Sequence, residues 1–441
     1  MFTQKIATLF FLAIGAATAE VHSLTLHEAL DTASRQNPDV ALARLDQQRA
    51  EQGIKVAHDP FVPKVYGGSG LAYTYGYPNA INGNAPSLFE VRTDMSIYNR
   101  PQSYQLASAR ETARGSQLGA QAKADEVAYQ AADLFLSASE AARERQTISE
   151  QVPSLQQVVQ AMTAGVKEGS ELPIELKRAR VNLAVSQQRL ESTALDEDYY
   201  EMMLAVALGY PASDRVEPVD SDTSLPVAPD SEDEATDLAL RNNRELRQMQ
   251  SNVSAKQLDL RSYKAARLPQ VSLVAQYALF AKYNYVNYFQ KFQRNNFQIG
   301  AAVTIPLLIG SASQGLAEQA LTDMQKIRIQ MAQVRNRIIT DTRRSYQQWK
   351  KAQSFRDLVR MQLDLAREQM TVYLAQNAEG RMPIRTVEQA RLEESDRWID
   401  FYVAETQVKR TQLAILREMG MLVAGMRATP GEHQSTGERQ P

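Results

Sequence analysis

The feature that most constrains the fold of this chain is a stretch from about Ser311 to Asn377 that contains no proline and whose only glycine is Gly315. Its larger apolar side chains recur with a mean step of about 3.6 residues, the period of one face of a continuous α-helix. Such a helix is roughly 100 Å long, whereas a small globular domain is about 30 Å across. The pattern leaves two interpretations open, a coiled-coil rod or one wall of a tall assembly.

Composition argues against several classes of function. The 441 residues include 49 basic and 51 acidic side chains, a balance that argues against a nucleic-acid-binding protein. There is no cysteine, which excludes disulfides, zinc–thiolate sites and a lipid anchor on cysteine. The four histidines lack metal-ligand spacing, and no phosphate-binding or dinucleotide-binding motif occurs. We therefore expect no cofactor, no bound metal and no catalytic residues.

The N-terminus has the pattern of a secretory signal peptide. Lys5 precedes an apolar run from Ile6 to Ala17, and Ala17-Thr18-Ala19 has the small residues of a cleavage site. We predict a signal peptide over 1–19, cleaved before Glu20; the alternative, a membrane anchor, needs a longer apolar run. No further run of about 18 apolar residues follows, so a mature chain that crosses a membrane must do so as a β-barrel.

Internal similarity indicates a tandem duplication. Capping-box sequences begin at Thr25 and at Ser231, which are 206 positions apart. The same offset relates other pairs, and it drifts to 211 later in each copy: Asn37 and Asn243, Pro63 and Pro269, Gly169 and Gly380, Gly209 and Gly420. The predicted domains are a signal peptide (1–19), a first copy (20–210), an acidic, proline-rich linker (211–230), a second copy (231–420) and a disordered tail (421–441).

Each copy has the same predicted order of elements. A helix of about 30 residues precedes two strands, and a long helix, a short break and a second long helix follow. Alternating apolar and polar residues predict these four strands: Val65–Tyr77, Leu88–Ile97, Val271–Tyr283 and Phe297–Ile305. In the first copy, Pro153 is expected to kink or split the long helix.

The four strands suit a membrane barrel shared between protomers. Each has roughly the length of a tilted membrane strand, about 9–11 residues, but known barrels start at about eight strands. Counting strands leaves two, three and four protomers open. Tyrosines at the strand ends are typical of an interfacial aromatic belt, although hairpins on a soluble core also carry such aromatics. The belt candidates are Tyr73, Tyr75, Tyr77, Tyr283, Tyr285 and Tyr288.

Over nearly its whole mature length the chain resembles the TolC-type outer-membrane factor family. Besides the duplication, the resemblance is carried by short motifs in the first copy: Leu26, Ala29, Leu30 and Asn37; Pro63 and Val65; Gly169, Glu175 and Leu176; Leu204 and Gly209. It implies an α+β membrane protein in which long antiparallel helical hairpins form a periplasmic tunnel. It also implies a homotrimer in which each protomer contributes four strands to one β-barrel in outer-membrane lipid.

The resemblance places the periplasmic entrance at the two breaks between long helices. The gate candidates are Glu175, Arg381 and Arg385, with one arginine expected to pair with Glu175 across the entrance; the alternative is solvated charges at helix ends. The candidates for the hairpin tips and for contact with an adaptor are Gly169, Ser170, Gly380 and Met382, and the alternative for the glycines is plain helix C-caps.

The resemblance thus implies a trimeric outer-membrane channel. It is expected to act as the passive, gated exit duct of a tripartite efflux pump or type I secretion system. The implied partners are a periplasmic adaptor (membrane fusion protein) and an inner-membrane transporter. The alternative is an exported periplasmic coiled-coil adaptor or scaffold without a channel, which would carry its β-rich domains outside the helical hairpin rather than inside each repeat. An enzyme is a third interpretation without positive support.

Overall fold

The computed structural model describes residues 20–70, 87–219, 225–226, 228–280, 295–307 and 310–422. In these residues the helices are α1 (Leu26–Gln36), α2 (Pro38–His58), α3 (Arg100–Glu168), α4 (Pro173–Leu208), α5 (Glu232–Asn242), α6 (Arg244–Lys264), α7 (Ala312–Ala378) and α8 (Ile384–Glu418). The strands are β1 (Val21–Leu24), β2 (Lys64–Gly70), β3 (Ser87–Tyr98), β4 (Arg215–Pro218), β5 (Gln270–Phe280) and β6 (Asn295–Thr304).

The predicted tandem repeat is confirmed at the level of single elements. α1 and α2 reappear as α5 and α6, and each pair of helices begins and ends 206 positions apart. A short 3-10 turn follows α2 at Asp59–Phe61 and α6 at Ala265–Arg267, with the same offset. The long helices α3 and α4 correspond in the same order to α7 and α8.

The first predicted helix of each copy is in fact two helices, divided at an asparagine. Asn37 has φ −57° and ψ 132°, because the following Pro38 disfavours helical backbone in the residue before it. Its side-chain oxygen accepts a hydrogen bond of 2.8 Å from the N–H of Asp39. In the second copy Asn243 has ψ 119° and accepts from the N–H of Leu246 at 2.9 Å. The asparagine therefore caps the second helix in both copies, with or without a proline.

Helix α3 continues through Pro153, so the predicted split does not occur. A proline inside a helix removes one backbone hydrogen bond and disturbs the preceding turn. The neighbouring Ile148 and Val152 are buried against Ile399 of α8. This packing beside the proline stabilises the helix against the local cost.

The chain divides into two compact units, which are described separately. The second unit comprises Leu42–Ala122 and Asn243–Arg337 and contains an antiparallel sheet with the strand order β2-β3-β5-β6. One face carries a polar ladder in which Gln276 donates to Glu90 at 2.7 Å and Gln298 donates to Gln276 at 2.9 Å. Exposed apolar side chains on the other face include Val65, Phe89, Tyr277, Phe297, Ile299 and Val303. The predicted alternation is therefore present in the described parts of the strands.

Several predictions fall on residues outside the described ranges. All six tyrosines of the proposed aromatic belt, from Tyr73 to Tyr77 and from Tyr283 to Tyr288, lie there. The same holds for the predicted signal peptide and for nearly all of the predicted tail. The belt, the signal peptide and the tail stay predictions.

The first unit comprises Met1–Ala41, Lys123–Asn242 and Ile338–Pro441. It contains a two-stranded parallel sheet that was not predicted from the sequence, in which Val21 pairs with Arg215 and Leu24 with Pro218. Strand β4 lies within the predicted linker, where Val216 is fully buried. Four residues are too few to show a clear alternation, so periodicity does not reveal these strands.

No helix in the described part of the chain is both long enough and apolar enough to span a membrane.

Candidate functional site

Both breaks between long helices are tight turns around a glycine with positive φ. Gly169 follows α3 with φ +76°, and Gly380 follows α7 with φ +72°. The N–H of Ser170 donates to the carbonyl of Gly165, and the N–H of Arg381 donates to that of Gln376, both at 2.9 Å. This hydrogen bond from the residue after the glycine is the mark of a Schellman motif, which ends a helix in the left-handed region.

The surroundings of these glycines differ from those at the other ends of the long helices. Gly209 and Gly420 also have positive φ, yet an added Cβ at Gly209 would lie 2.7 Å from the carbonyl oxygen of Gln36. At Gly169 and Gly380 an added Cβ would meet nothing within 4 Å. The two tip glycines therefore lie in open surface, which a partner can approach closely.

The other tip candidates stabilise the turns from within. The Ser170 hydroxyl donates to the Gly165 carbonyl at 3.1 Å, and the Asn377 amide donates to the Met382 carbonyl at 2.7 Å. The Met382 side chain packs on the apolar cluster formed by Met370, Val387 and Ala390. Ser170 and Met382 thus have structural roles in addition to the partner contact that remains a proposal.

The first tip also exposes apolar side chains that were not among the sequence-based candidates. Leu172 is 65% exposed and Ile174 is 56% exposed, on either side of Pro173, which begins α4. In the sequence, the signal for this exposed pair is two aliphatic residues on either side of the proline that begins a helix. An exposed aliphatic pair beside an open glycine is a suitable contact surface for another protein.

The gate candidates meet within one chain. Oε2 of Glu175 on α4 lies 3.3 Å from Nη1 of Arg385 on α8, and Nη1 of Arg178 donates to both carboxylate oxygens at 3.2 Å. The Glu175 side chain is only 14% exposed. Arg381 instead pairs with Glu379 of its own turn at 2.8 Å. The structure therefore brings Glu175 and Arg385 together and leaves Arg381 out, and it adds Arg178, which the i,i+3 spacing from Glu175 would have identified.

The hairpin of α3 and α4 (the first hairpin) and the hairpin of α7 and α8 (the second) are joined by a second polar link. It lies one to two turns further along α8. Nη1 of Arg391 donates to the Ser154 hydroxyl at 2.6 Å, and that hydroxyl donates to Oε2 of Glu388 at 2.9 Å. Arg391 and Glu388 also pair with each other at 3.1 Å. Ser154 belongs to α3, so this network attaches α8 to the first hairpin.

A third link lies beside an apolar cluster. Ile148, Val152 and Ile399 pack together with Leu183 and Leu190, which joins α3, α4 and α8. Next to them Arg189 of α4 pairs at 3.0 Å with both Glu144 of α3 and Asp396 of α8. Movement of α8 away from α3 and α4 therefore requires the three polar links and the cluster to separate.

A group of carboxylates lies in the first unit near β4. The carboxylate of Glu197 is buried and pairs with Arg145. Burial and the negative charges of Glu197, Glu217 and Asp198 together raise the pKa of the Glu201 carboxyl to about 7. The neighbouring Asp198 pairs with Arg215, whose hydrogen bond holds the pKa of Asp198 below its ordinary value despite some burial. Glu201 therefore titrates near neutral pH.

Replacing Glu201 with glutamine is expected to stabilise the protein at pH 8 and to have little effect near pH 4. The pKa of this carboxyl is 4.5 in the unfolded chain and about 7 in the fold, so ionisation destabilises the fold as pH rises between these values. Allowing for solvent screening, the glutamine variant should exceed the wild type in free energy of unfolding by on the order of 1 kcal/mol above pH 7. Guanidinium unfolding of both proteins at several pH values measures this difference. Glu191→Gln, an exposed change on the same helix, should leave the pH profile unaltered.

In the part of the chain that the structure describes, no group of three histidine, aspartate or glutamate side chains is arranged to hold a metal ion.

The sequence matches the outer membrane efflux protein family over residues 29–209 and 235–421. The two matched segments coincide with the two copies of the repeat and cover most of the chain. No curated protein matches the sequence.

Solved structures share the fold at low sequence identity. The CmeC outer membrane channel of Campylobacter jejuni matches with a TM-score of 0.71 and 14% identity, over 90% of this chain and 86% of CmeC. The outer membrane protein VceC of Vibrio cholerae matches with a TM-score of 0.69 and 12% identity, over 90% and 96%. The MtrE outer membrane channel of Neisseria gonorrhoeae, in its open state, matches with a TM-score of 0.68 and 11% identity, over 90% and 89%.

The family match extends over both repeats, and the structural matches each cover 90% of the chain. The chain therefore belongs to the outer membrane efflux protein family, and it is an outer-membrane protein whose helical part lies in the periplasm.

Proposed function

We propose that three copies of this chain form one outer-membrane channel, the exit duct of a tripartite efflux pump or type I secretion system. The observation that carries this proposal is the four-stranded sheet, with a polar ladder on one face and exposed apolar side chains on the other. This alternation suits strands with lipid on one side and a polar lumen on the other.

The sheet has two edges that need partners. Strands β2 and β6 each pair on one side only among the described residues. In lipid, unpaired backbone groups on an edge strand are costly, and four strands are too few to close a barrel. Pairing β2 of one protomer with β6 of the next removes both edges and generates a closed ring of identical interfaces. Three protomers then supply twelve strands.

The relatives support a channel rather than a scaffold. CmeC and MtrE are each an outer membrane channel, and each matches this chain over 90% of its length. A periplasmic adaptor and an inner-membrane transporter would supply the cargo and the energy. The chain itself would contribute a passive path that opens and closes.

We further propose that the entrance is held closed by Glu175 and Arg385. Their ion pair attaches the second hairpin to the first close to both tips. The open surface at Gly169 and Gly380, with the exposed Leu172 and Ile174 beside it, is the proposed contact for the adaptor. Binding there would favour the open arrangement if the adaptor contacts the separated hairpins better than the joined ones.

Cross-linking between the sheet edges tests the assembly. The chain has no cysteine, so Tyr66→Cys on β2 with Gln298→Cys on β6 introduces the only two thiols. In outer-membrane fractions, a short bismaleimide is expected to yield a ladder of covalent species that ends at the trimer. The control, Gln298→Cys alone, has its thiol only on β6, four strands from the next such thiol in the proposed ring, and should yield no ladder.

The same preparation separates the alternatives. A ladder that ends at two or four subunits would contradict the trimer and keep the channel. Uncross-linked monomer in the soluble periplasmic fraction, without conductance in planar bilayers, would contradict the channel and favour an adaptor or scaffold.

A further inference from the structure

The backbone of Glu20 is fixed at the start of the small parallel sheet. Its nitrogen lies 3.3 Å from Oδ1 of Asp214, and its carbonyl accepts a 3.0 Å hydrogen bond from the N–H of Arg215. Glu20 directly follows the Ala17-Thr18-Ala19 cleavage pattern. The nitrogen beside Asp214 is therefore the atom that becomes the α-amino group if the signal peptide is removed at that position.

Asp214 is a buried carboxylate with few partners. The residue is 7% exposed, and among the described residues no lysine or arginine pairs with its side chain. Oδ1 accepts from the Ser213 hydroxyl at 3.1 Å and from the Glu20 N–H, and Oδ2 lies 3.6 Å from Nε2 of His22. A cation beside a buried carboxylate favours its ionised form, so this site suits an additional positive charge.

The remaining side chains close the site around this carboxylate. His22 stacks on Tyr210, with ring centroids 4.2 Å apart and an interplanar angle of 14°. Nε2 of His22 is buried and has no hydrogen-bond partner in the described structure. Burial raises the pKa of Asp214, but the hydrogen bonds from Glu20 and Ser213 and the nearby His22 outweigh it and hold this pKa below its ordinary value. The carboxylate is thus ionised at neutral pH.

We propose that this site binds the new N-terminus produced by signal-peptide cleavage. Hydrolysis of the Ala19–Glu20 peptide bond consumes one water, leaves a carboxylate on Ala19 and an amine on Glu20, and the amine takes up a proton. An α-amino group has an ordinary pKa of about 8, and a neighbouring carboxylate favours its charged form. The single N–H donor at Asp214 becomes an ammonium group, and the contact becomes an ion pair.

The ion pair would stabilise the pairing of β1 with β4. Strand β4 lies between the two copies of the repeat, and β1 leads into α1. The register is held by hydrogen bonds at both ends, from Arg215 to Glu20 and from Val219 to Leu24. In the precursor the ionised Asp214 accepts from an uncharged N–H, whereas after export and cleavage it would face an ammonium group, so the mature chain is more stable at this junction than its precursor.

A double-mutant cycle on the exported full-length chain tests this proposal. One change inserts Ala-Gly after Ala19, so that cleavage leaves a two-residue extension and moves the ammonium group by about 7 Å. The other is Asp214→Asn. Hydrogen exchange of the peptide covering 215–219, followed by mass spectrometry on the purified protein, reports on the pairing of β1 with β4. N-terminal sequencing establishes where each chain begins.

The extension is expected to speed exchange of this peptide about tenfold in the wild-type background, as loss of a charged hydrogen bond predicts. In the Asp214→Asn background the extension should have no further effect, because the charge it displaces no longer has a partner. Glu217→Gln, a change of an exposed carboxylate on the same strand, is the matched control and should leave the effect of the extension undiminished.

Either of two results would overturn the proposal. The first is an extension effect of the same size with and without the Asp214 carboxylate. The second is a wild-type mature chain that begins at a residue other than Glu20. Neither result bears on the channel itself, since conductance and cross-linking are measured separately.

Discussion

Replacing Arg385 with alanine is expected to raise the open probability of the channel in planar bilayers about tenfold or more. The change removes the partner that attaches Glu175 of the first hairpin to α8. A partly exposed ion pair contributes about 0.5–1 kcal/mol, and three symmetric copies in the proposed trimer contribute about 1.5–3 kcal/mol in total. A shift of that size changes the ratio of open to closed channels about ten- to a hundredfold.

The neighbouring arginine is the matched control for this prediction. Arg381 lies four positions before Arg385, in the turn that precedes α8, and pairs with the exposed Glu379. Arg381→Ala should therefore leave the conductance close to that of the wild type. Equal effects of the two alanine variants would show that charge at the tip, rather than the pair with Glu175, controls opening. No effect of either would remove the gate assignment.

Exchanging the two charges sharpens the test. Glu175→Arg combined with Arg385→Glu restores an ion pair between α4 and α8, so the double variant should conduct less than either single variant. The recovery should be incomplete, because Arg178 lies 3.2 Å from the carboxylate of Glu175 in the wild type and would repel an arginine there. Single-channel recordings of the four proteins provide the measurement.

Gly209→Ala is expected to lower the free energy of unfolding by roughly 3–4 kcal/mol. This is the largest effect expected among alanine changes at the four glycines that end the long helices. Gly209 has φ +92°, where an L side chain costs about 1–2 kcal/mol. The added Cβ would also lie 2.7 Å from the carbonyl oxygen and 3.0 Å from the carbonyl carbon of Gln36, which are backbone atoms and cannot rotate away. Such overpacking adds about 1–3 kcal/mol.

The other three glycines form a graded set of controls. Gly420→Ala brings its Cβ to 3.3 Å from the carbonyl oxygen of Asn242 and should be intermediate. Gly169→Ala and Gly380→Ala meet nothing within 4 Å and should cost only the strain of positive φ. Guanidinium unfolding followed by far-ultraviolet circular dichroism ranks the four variants. If Gly209→Ala and Gly169→Ala lowered the free energy of unfolding equally, the close packing of Gly209 on α1 would contribute nothing to the cost of the substitution.

The close approach at Gly209 also explains a repeated sequence feature. Asn37 of the α1–α2 break donates through its amide to the carbonyl of Ala207 at 2.8 Å, two residues before the glycine. Asn243 and Gly420 are the corresponding residues of the second copy. The asparagine between two short helices and the glycine after a long helix therefore belong to one contact, in which the end of α1 packs on the end of α4. The two residues are far apart in sequence and adjacent in the first copy of the structure.

Elements with a residue pattern that repeats over many positions, or with a distinctive turn residue, could be predicted from the sequence. Periodicity predicts the long helices α3 and α7 and the alternation of apolar and polar residues within β3 and within β5. Turn chemistry predicts the glycines that end the helices. The duplication was visible because the same capping and turn residues recur in order. The match to the outer membrane efflux protein family covers those same two copies.

Features that depend on distant partners could not be predicted in this way. The strands β1 and β4 are four residues each and are stabilised by pairing between segments far apart in the chain, Val21 with Arg215 at one end. The residues of α3 before Pro153 pack on Ile399, which belongs to the other repeat. The choice of Arg385 over Arg381 as the partner of Glu175 depends on which side of the turn faces α4.

The sequence by itself therefore determined the long helices, the four strands of the larger sheet, their repetition and the family, because helical period, strand alternation and helix-ending glycines act over a few residues. Only the tertiary structure decided which charged groups meet at the hairpin tips and which carboxylate lies beside the nitrogen of Glu20. Those pairings are set by the rotation of each helix about its axis and by long-range strand register, and neither is encoded in any short stretch of the chain.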